Sequence, residues 1–175
     1  MRTYRSRRSG FTLVEILIVV IILGILAAIV IPQFTNASQD ARKNSLTSQL
    51  QTLRSQVELY KLQHLDANPT GLTGAGDVAG ATAWAEMLVK TDADQTINTT
   101  GLFGPYLQTE PFNTLNNSAA VFIGTADVTL GGASGTTTSG WVYNKSNGKL
   151  WATAVDPQFV YDESDPSNPQ NVQAP

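Results

Sequence analysis

The chain has no cysteine, one histidine and two methionines among its 175 residues. Without thiols there is no disulfide, no thiolate metal site and no cysteine nucleophile. The one histidine, His64, closes a helical pattern and reads as a C-terminal helix residue, not a base. No serine sits in a Gly-x-Ser-x-Gly turn. Gly71-Leu72-Thr73-Gly74-Ala75-Gly76 lacks the lysine and the strand-then-helix context of a phosphate-cradling loop. These absences speak against an enzyme. Asn-x-Ser/Thr triplets at Asn98, Asn116 and Asn144 are what a chain this rich in Asn, Ser and Thr supplies by chance. Positive charge is scarce outside the amino end. The first ten residues hold four of the eleven basic residues and none of the fourteen acids, so without them the formal charge falls from −3 to −7. So acidic a remainder argues against a nucleic-acid partner, which requires a basic face.

What is present is concentrated at the start. Arg2, Arg5, Arg7 and Arg8 precede residues 11–31, a run of twenty-one that is almost wholly apolar. As a helix this run would be about 31 Å long, enough to cross the hydrocarbon core of a bilayer. The basic block would stay on the cytoplasmic side and everything after Ile31 would lie beyond the membrane. A cleaved secretory signal fits poorly. Its apolar core is shorter and ends in a small-residue cleavage site, whereas Ala27-Ala28 runs on into more apolar residues. A plain anchor fits the length but leaves Glu15 unexplained. An acid at the bilayer centre costs about 3 kcal/mol on insertion scales, less toward the edge, so it calls for a named partner.

The junction Arg7-Arg8-Ser9-Gly10-Phe11-Thr12-Leu13-Val14-Glu15, followed by a long apolar helix, resembles the leader junction of type IV pilins and type II secretion pseudopilins. The resemblance implies that a prepilin peptidase cuts between Gly10 and Phe11 and that the new amino terminus at Phe11 is N-methylated. It further implies a filament subunit whose axial register comes from Glu15, Phe11 and Thr12. The Glu15 carboxylate would meet the cationic Phe11 amine of a neighbouring subunit, although a pair within one helix is also in reach. Breaking a buried ion pair by removing one side costs about 3–5 kcal/mol. The absence of cysteine excludes the disulfide-closed C-terminal loop of many type IVa pilins and moves weight toward the pseudopilin branch.

Past Ile31, Leu46, Leu50, Leu53, Val57 and then Tyr60 or Lys61 recur at helical spacing, with polar residues between them. The membrane helix therefore continues to about His64 as an amphipathic rod whose stripe packs on the chain's own globular part. Asp40, Arg42 and Lys43 form a charged collar, read as a solvated face; in pili of this kind such collars also make subunit-to-subunit ion pairs. Gly24 and Pro32 are its weak points. One reading is a kink where the chain leaves the bilayer. The resemblance adds a loss of helicity between residues 24 and 32 in the assembled filament. Residues 66–80 read as a loop, residues 82–90 as a short helix with Trp84, Met87 and Leu88 inward, and residues 91–100 as irregular. Gly104-Pro105-Tyr106-Leu107 and the later Pro111-Phe112-Asn113 resemble the stretch before the sheet in major, G-type pseudopilins. Strands are expected at 119–123, 127–130, 140–144 and 149–155, with Asn147-Gly148 marking a hairpin.

The expected fold is α+β and pilin-like: a long N-terminal helix packed on a small antiparallel sheet. The expected organisation is a leader at 1–10, a transmembrane helix at 11–31, its amphipathic continuation at 32–65, a globular domain at 66–155 and an acidic, proline-rich tail at 156–175. The resemblance extends to a calcium site, for which the tail offers Asp156, Asp162, Glu163 and Asp165, but the loop that accompanies it in the family is missing. A disordered tail is the competing reading. Taken together, the resemblance implies a major pseudopilin of a type II secretion system, anchored in the inner membrane with its C-terminal domain in the periplasm. Its partners would be copies of itself, the prepilin peptidase, a membrane platform with its ATPase, minor pseudopilins and the outer-membrane secretin. A surface type IV pilin for adhesion or motility shares every N-terminal feature, and an anchored binding module that never polymerises is an alternative of another class. Replacing Gly10 by a larger residue should leave an uncut precursor in the membrane. Mass spectrometry of the mature chain checks this, and maturation at the usual rate would place the cut elsewhere.

Overall fold

The computed structural model of the chain describes residues 10–69, 84–165 and 168. The basic leader up to residue 9, most of the expected 66–80 loop, the first two residues of the expected short helix and the end of the tail lie outside the described residues. The chain divides into two compact units, Met1–Asp40 and Ala41–Pro175. Helix α1, Leu13–Gln63, runs through the boundary between them.

In the first unit every described residue is exposed. The large apolar side chains from Phe11 to Phe34 are 49–82% exposed, so none is buried among the described residues. A surface of this kind marks a lipid or protein contact. Helix α1 continues through Pro32. The Thr35 hydroxyl donates to the Pro32 carbonyl at 2.9 Å and to the Ile31 carbonyl at 3.3 Å.

In the second unit the helical stripe is buried as its spacing predicts. Leu46, Leu50, Leu53, Val57 and Tyr60 are each at most 2% exposed, and Tyr60, not Lys61, closes the series. Burying such side chains stabilises the fold by roughly 1.5–3 kcal/mol each. Their partners are Trp84, Met87, Val121, Trp141, Tyr143, Leu150, Ala152 and Tyr161. The helix stops where Leu65 (φ 55°) and Asp66 (φ 63°) turn left-handed and the Asp66 N–H donates back to the Lys61 carbonyl at 2.9 Å.

The sheet has three strands, β1 (Val121–Gly124), β2 (Trp141–Asn144) and β3 (Lys149–Ala152), in that order. The α+β expectation is borne out, and β2 and β3 form the hairpin expected around Asn147-Gly148, with Trp141 opposite Ala152. One pairing differs: β1 runs parallel to β2, with Val121 opposite Trp141, so the sheet is not antiparallel throughout. The connection over residues 125–140 is long enough for the crossover that a parallel pair requires. That crossover includes residues 127–130, expected as a strand, which form none. Asp127 instead accepts hydrogen bonds from Asn144 and Asn147 Nδ2, each at 2.7 Å, and pairs with Lys149, tying the crossover to the hairpin turn. Lys149, then Asn147 and Asn144, hold the Asp127 carboxyl at about 2. Strand β2 is buried on both faces: Trp141 and Tyr143 point to the helix, while Val142 joins Trp151 and Val160 in a second cluster.

Helix α2 is shorter than expected, Ala85–Leu88. The Met87 carbonyl, which would extend it, accepts instead from the N–H groups of Tyr106 and Leu107 at 2.9 and 2.8 Å. Trp84 and Met87 are fully buried, and Leu88 packs at the core's margin.

The tail needs the larger correction. Residues 156–165 are not a loose appendage. Val160 and Tyr161 are buried at 0% and 2% exposure, Thr153 bridges Val160, and the Tyr161 N–H donates to the Ala152 carbonyl at 2.9 Å. The low apolar content of the stretch misled here, because one apolar pair, Val160 and Tyr161, is enough to fix it. Asn113 fastens the other side of the sheet. Its Nδ2 donates to the Gly140 carbonyl at 2.8 Å and the Thr153 carbonyl at 2.7 Å, and its Oδ1 accepts the Leu115 N–H at 2.8 Å. Asn113→Ala would remove the partner of the Thr153 carbonyl and of the Leu115 N–H, while the Gly140 carbonyl keeps the Thr153 N–H, and should lower the unfolding free energy by about 2 kcal/mol. Chemical denaturation of the detergent-solubilised chain measures it; a loss under about 0.5 kcal/mol would show that the seam is held otherwise.

Candidate functional site

The start of helix α1 holds the acid that the sequence singles out. The Thr12 N–H and the Thr12 hydroxyl both donate to Glu15 Oε2 at 2.8 Å, and the Glu15 N–H donates back to the Thr12 hydroxyl oxygen at 3.3 Å. This is a reciprocal capping box, in which the N-cap threonine and the acid three residues on satisfy each other's otherwise unpaired groups. A carboxylate at a helix N-terminus also meets the positive end of the helix dipole. The structure thus brings Thr12 and Glu15 together. With Gly10 still joined to Phe11 there is no free amine, and Glu15 takes its hydrogen bonds within its own helix. The signal was in the sequence: Thr12-Leu13-Val14-Glu15 has the Thr-x-x-Glu spacing of such a box, although the acid was read toward the Phe11 amine, of a neighbour or of its own helix, and not toward Thr12.

Gly10 is exposed, and a side chain built on it would meet nothing within 4 Å. The same holds for Gly24. Among the described residues, packing requires neither glycine. Phe11 is 82% exposed.

The four tail acids are committed separately. Asp156 Oδ1 accepts the Gln158 N–H at 3.0 Å. Asp162 Oδ1 accepts the Ser164 hydroxyl at 2.6 Å and the N–H groups of Ser164 and Asp165 at 3.0 and 3.1 Å. The Ser164 hydroxyl, supported by those N–H groups, holds Asp162 below the usual carboxylate range. Glu163 pairs with Arg54 at 2.8 Å, and Asp165 is exposed at the edge of the described segment. Among the described residues no three acidic or histidine side chains come together as a metal site. The set does not fit calcium. Sequence reasoning missed Arg54, whose place in a helical polar face gave no sign of its distant partner.

His64 is a core residue. Its Nδ1 donates to the Tyr60 carbonyl at 2.8 Å, its Nε2 lies 2.9 Å from the Thr91 hydroxyl, and its ring stacks on Tyr60 at 3.8 Å.

The prokaryotic N-terminal methylation motif matches residues 5–31, which include the Gly10–Phe11 bond and the capping box. Type II secretion system core protein G of Dickeya chrysanthemi is 40% identical over 70 residues, 40% of this chain and 45% of that protein. Its counterpart in Pseudomonas aeruginosa is 40% identical over 60 residues, 34% of this chain and 42% of that protein. Type IV major fimbrial protein FimA of Dichelobacter nodosus is 35% identical over 115 residues, 57% of this chain and 74% of that protein. The chain belongs to the type IV pilin and pseudopilin family. The match to the two secretion proteins spans less than half of their length. No solved structure matches this pilin-family chain.

The capping box predicts a separation of roles. Thr12→Ala should loosen the first turn of the helix by about 1 kcal/mol, raising amide exchange at residues 13–16 about fivefold in micelles, whereas Thr12→Ser should not. Equal exchange in all three would show that the box does not hold the turn.

Proposed function

We propose that this pilin-family chain is the major pseudopilin of a type II secretion system, the subunit of a short filament that drives proteins across the outer membrane. The observation that carries the reading is the pairing of two features in one helix: an acid fixed at its start, and large apolar side chains from Phe11 to Phe34 that stay exposed among the described residues. The peptidase cuts after Gly10, methylates Phe11, and leaves the chain anchored by residues 11–31 with its domain in the periplasm. The cut also makes a cation. An amine at Phe11 of one subunit can then take the Glu15 carboxylate of another, with Thr12 keeping that carboxylate supplied with donors until the exchange. Gly24 and Pro32 are where the helix yields when subunits pack. The remaining partners are the assembly platform with its ATPase, minor pseudopilins and the secretin. The matches to core protein G support the secretion reading over the surface pilus.

The test is made in the cell that encodes the chain. Deletion should trap secreted proteins in the periplasm, and cryo-microscopy should find short fibres confined to the envelope. Long surface fibres with secretion intact would favour a pilus, and no fibre under any expression level would favour an anchored module. Glu15→Ala should insert normally yet fail to join the filament; ordinary incorporation would contradict the pairing.

A further inference from the structure

Arg54 makes three polar contacts with distant parts of the second unit. It projects from helix α1, and its Nε donates to the Leu150 carbonyl of β3 at 3.0 Å. Its Nη1 reaches both oxygens of Glu163, at 2.8 and 3.0 Å. One guanidinium thereby joins the helix, the sheet and the tail. Around it the tail is stitched by backbone bonds: Gly131 N–H to the Val160 carbonyl at 3.1 Å, Val160 N–H to the Gly132 carbonyl at 2.8 Å, and Ser134 N–H to the Gln158 carbonyl at 2.8 Å. The Tyr161 hydroxyl lies 3.1 Å from the Thr47 hydroxyl on the same helix that carries Arg54.

A calcium ion would need six to eight oxygen lone pairs converging on one point. Here the two oxygens of Glu163 already face a cation, which would also repel a second one. Asp162 Oδ1 is turned toward N–H and O–H hydrogens. We propose that Arg54 takes the place of a divalent cation in closing the C-terminal segment: a countercharge carried by the chain itself fastens residues 158–165 to helix and sheet, and closure does not depend on calcium. Arg54 is a positioning residue. Because the countercharge belongs to the chain, the latch cannot be emptied by a chelator as a metal site can. This inference stands whether or not the filament is a secretion device.

The test uses the full chain in detergent and follows chymotryptic cleavage after Phe159 and Tyr161 by mass spectrometry. Cleavage should proceed at the same rate in millimolar calcium and in excess chelator. Glu163→Gln and Arg54→Gln should each speed it about threefold or more, because cleavage tracks how often the segment opens. The double variant should be no faster than the faster single, since both remove one interaction. Glu163→Gln alters no other contact described for the fold, so it reads the latch even where the Arg54 variant folds poorly. Calcium slowing the wild-type chain by a similar factor would overturn the proposal, as would singles that cleave at the wild-type rate or whose effects multiply in the double.

Discussion

A carboxylate in an apolar helix must be given donors, and most of what is distinctive in this chain follows from how Glu15 obtains them. Within one chain they come from Thr12, at the only place in a helix where backbone N–H groups stand unused. That solution is local, with both donors going to one carboxylate oxygen, Oε2, inside the first turn. It also keeps the acid at the very end of the helix, beside the bond that processing would break. An acid placed two turns deeper would have no such N–H groups within reach and no new amine nearby.

The second unit solves a different problem, the burial of one stripe on a helix that is otherwise polar there. A three-stranded sheet supplies the cover, and because β2 is central and covered on both faces, it can carry Trp141 toward the helix and Val142 toward a second, smaller cluster. Side-chain amides and acids then close the seams that backbone pairing leaves open: Asn113 between the loop and β2, Asp127 between the crossover and the hairpin, Glu163 between the tail and the helix.

What could be read from the sequence follows the range of each interaction. The helix, its stripe and its end were legible because they depend on spacings of three and four residues, and the hairpin because Asn147-Gly148 specifies it locally. The parallel placement of β1 was not legible, since alternation within a strand carries no information about the direction of its neighbour. The fate of residues 127–130 depended on Asp127 meeting Asn144, and that of the tail on Tyr161 meeting Thr47, contacts separated by 17 and 114 positions. At the site, the residue types were readable and the Thr12–Glu15 box was within reach of a simple pattern. Arg54 was not, because a lone arginine among polar helical residues looks the same whether or not a carboxylate arrives from the far end of the chain.

The order of these elements has a bearing on how the chain comes into being. Helix α1 is made first, yet Trp141, Tyr143, Leu150, Ala152 and Tyr161, which cover much of its stripe, are all contributed by residues 141–161. During vectorial synthesis the stripe must wait, greasy and uncovered, until nearly the whole polypeptide has emerged. Nonsense mutations that stop short of β2 would leave the rod permanently adhesive, with most of its cover never made.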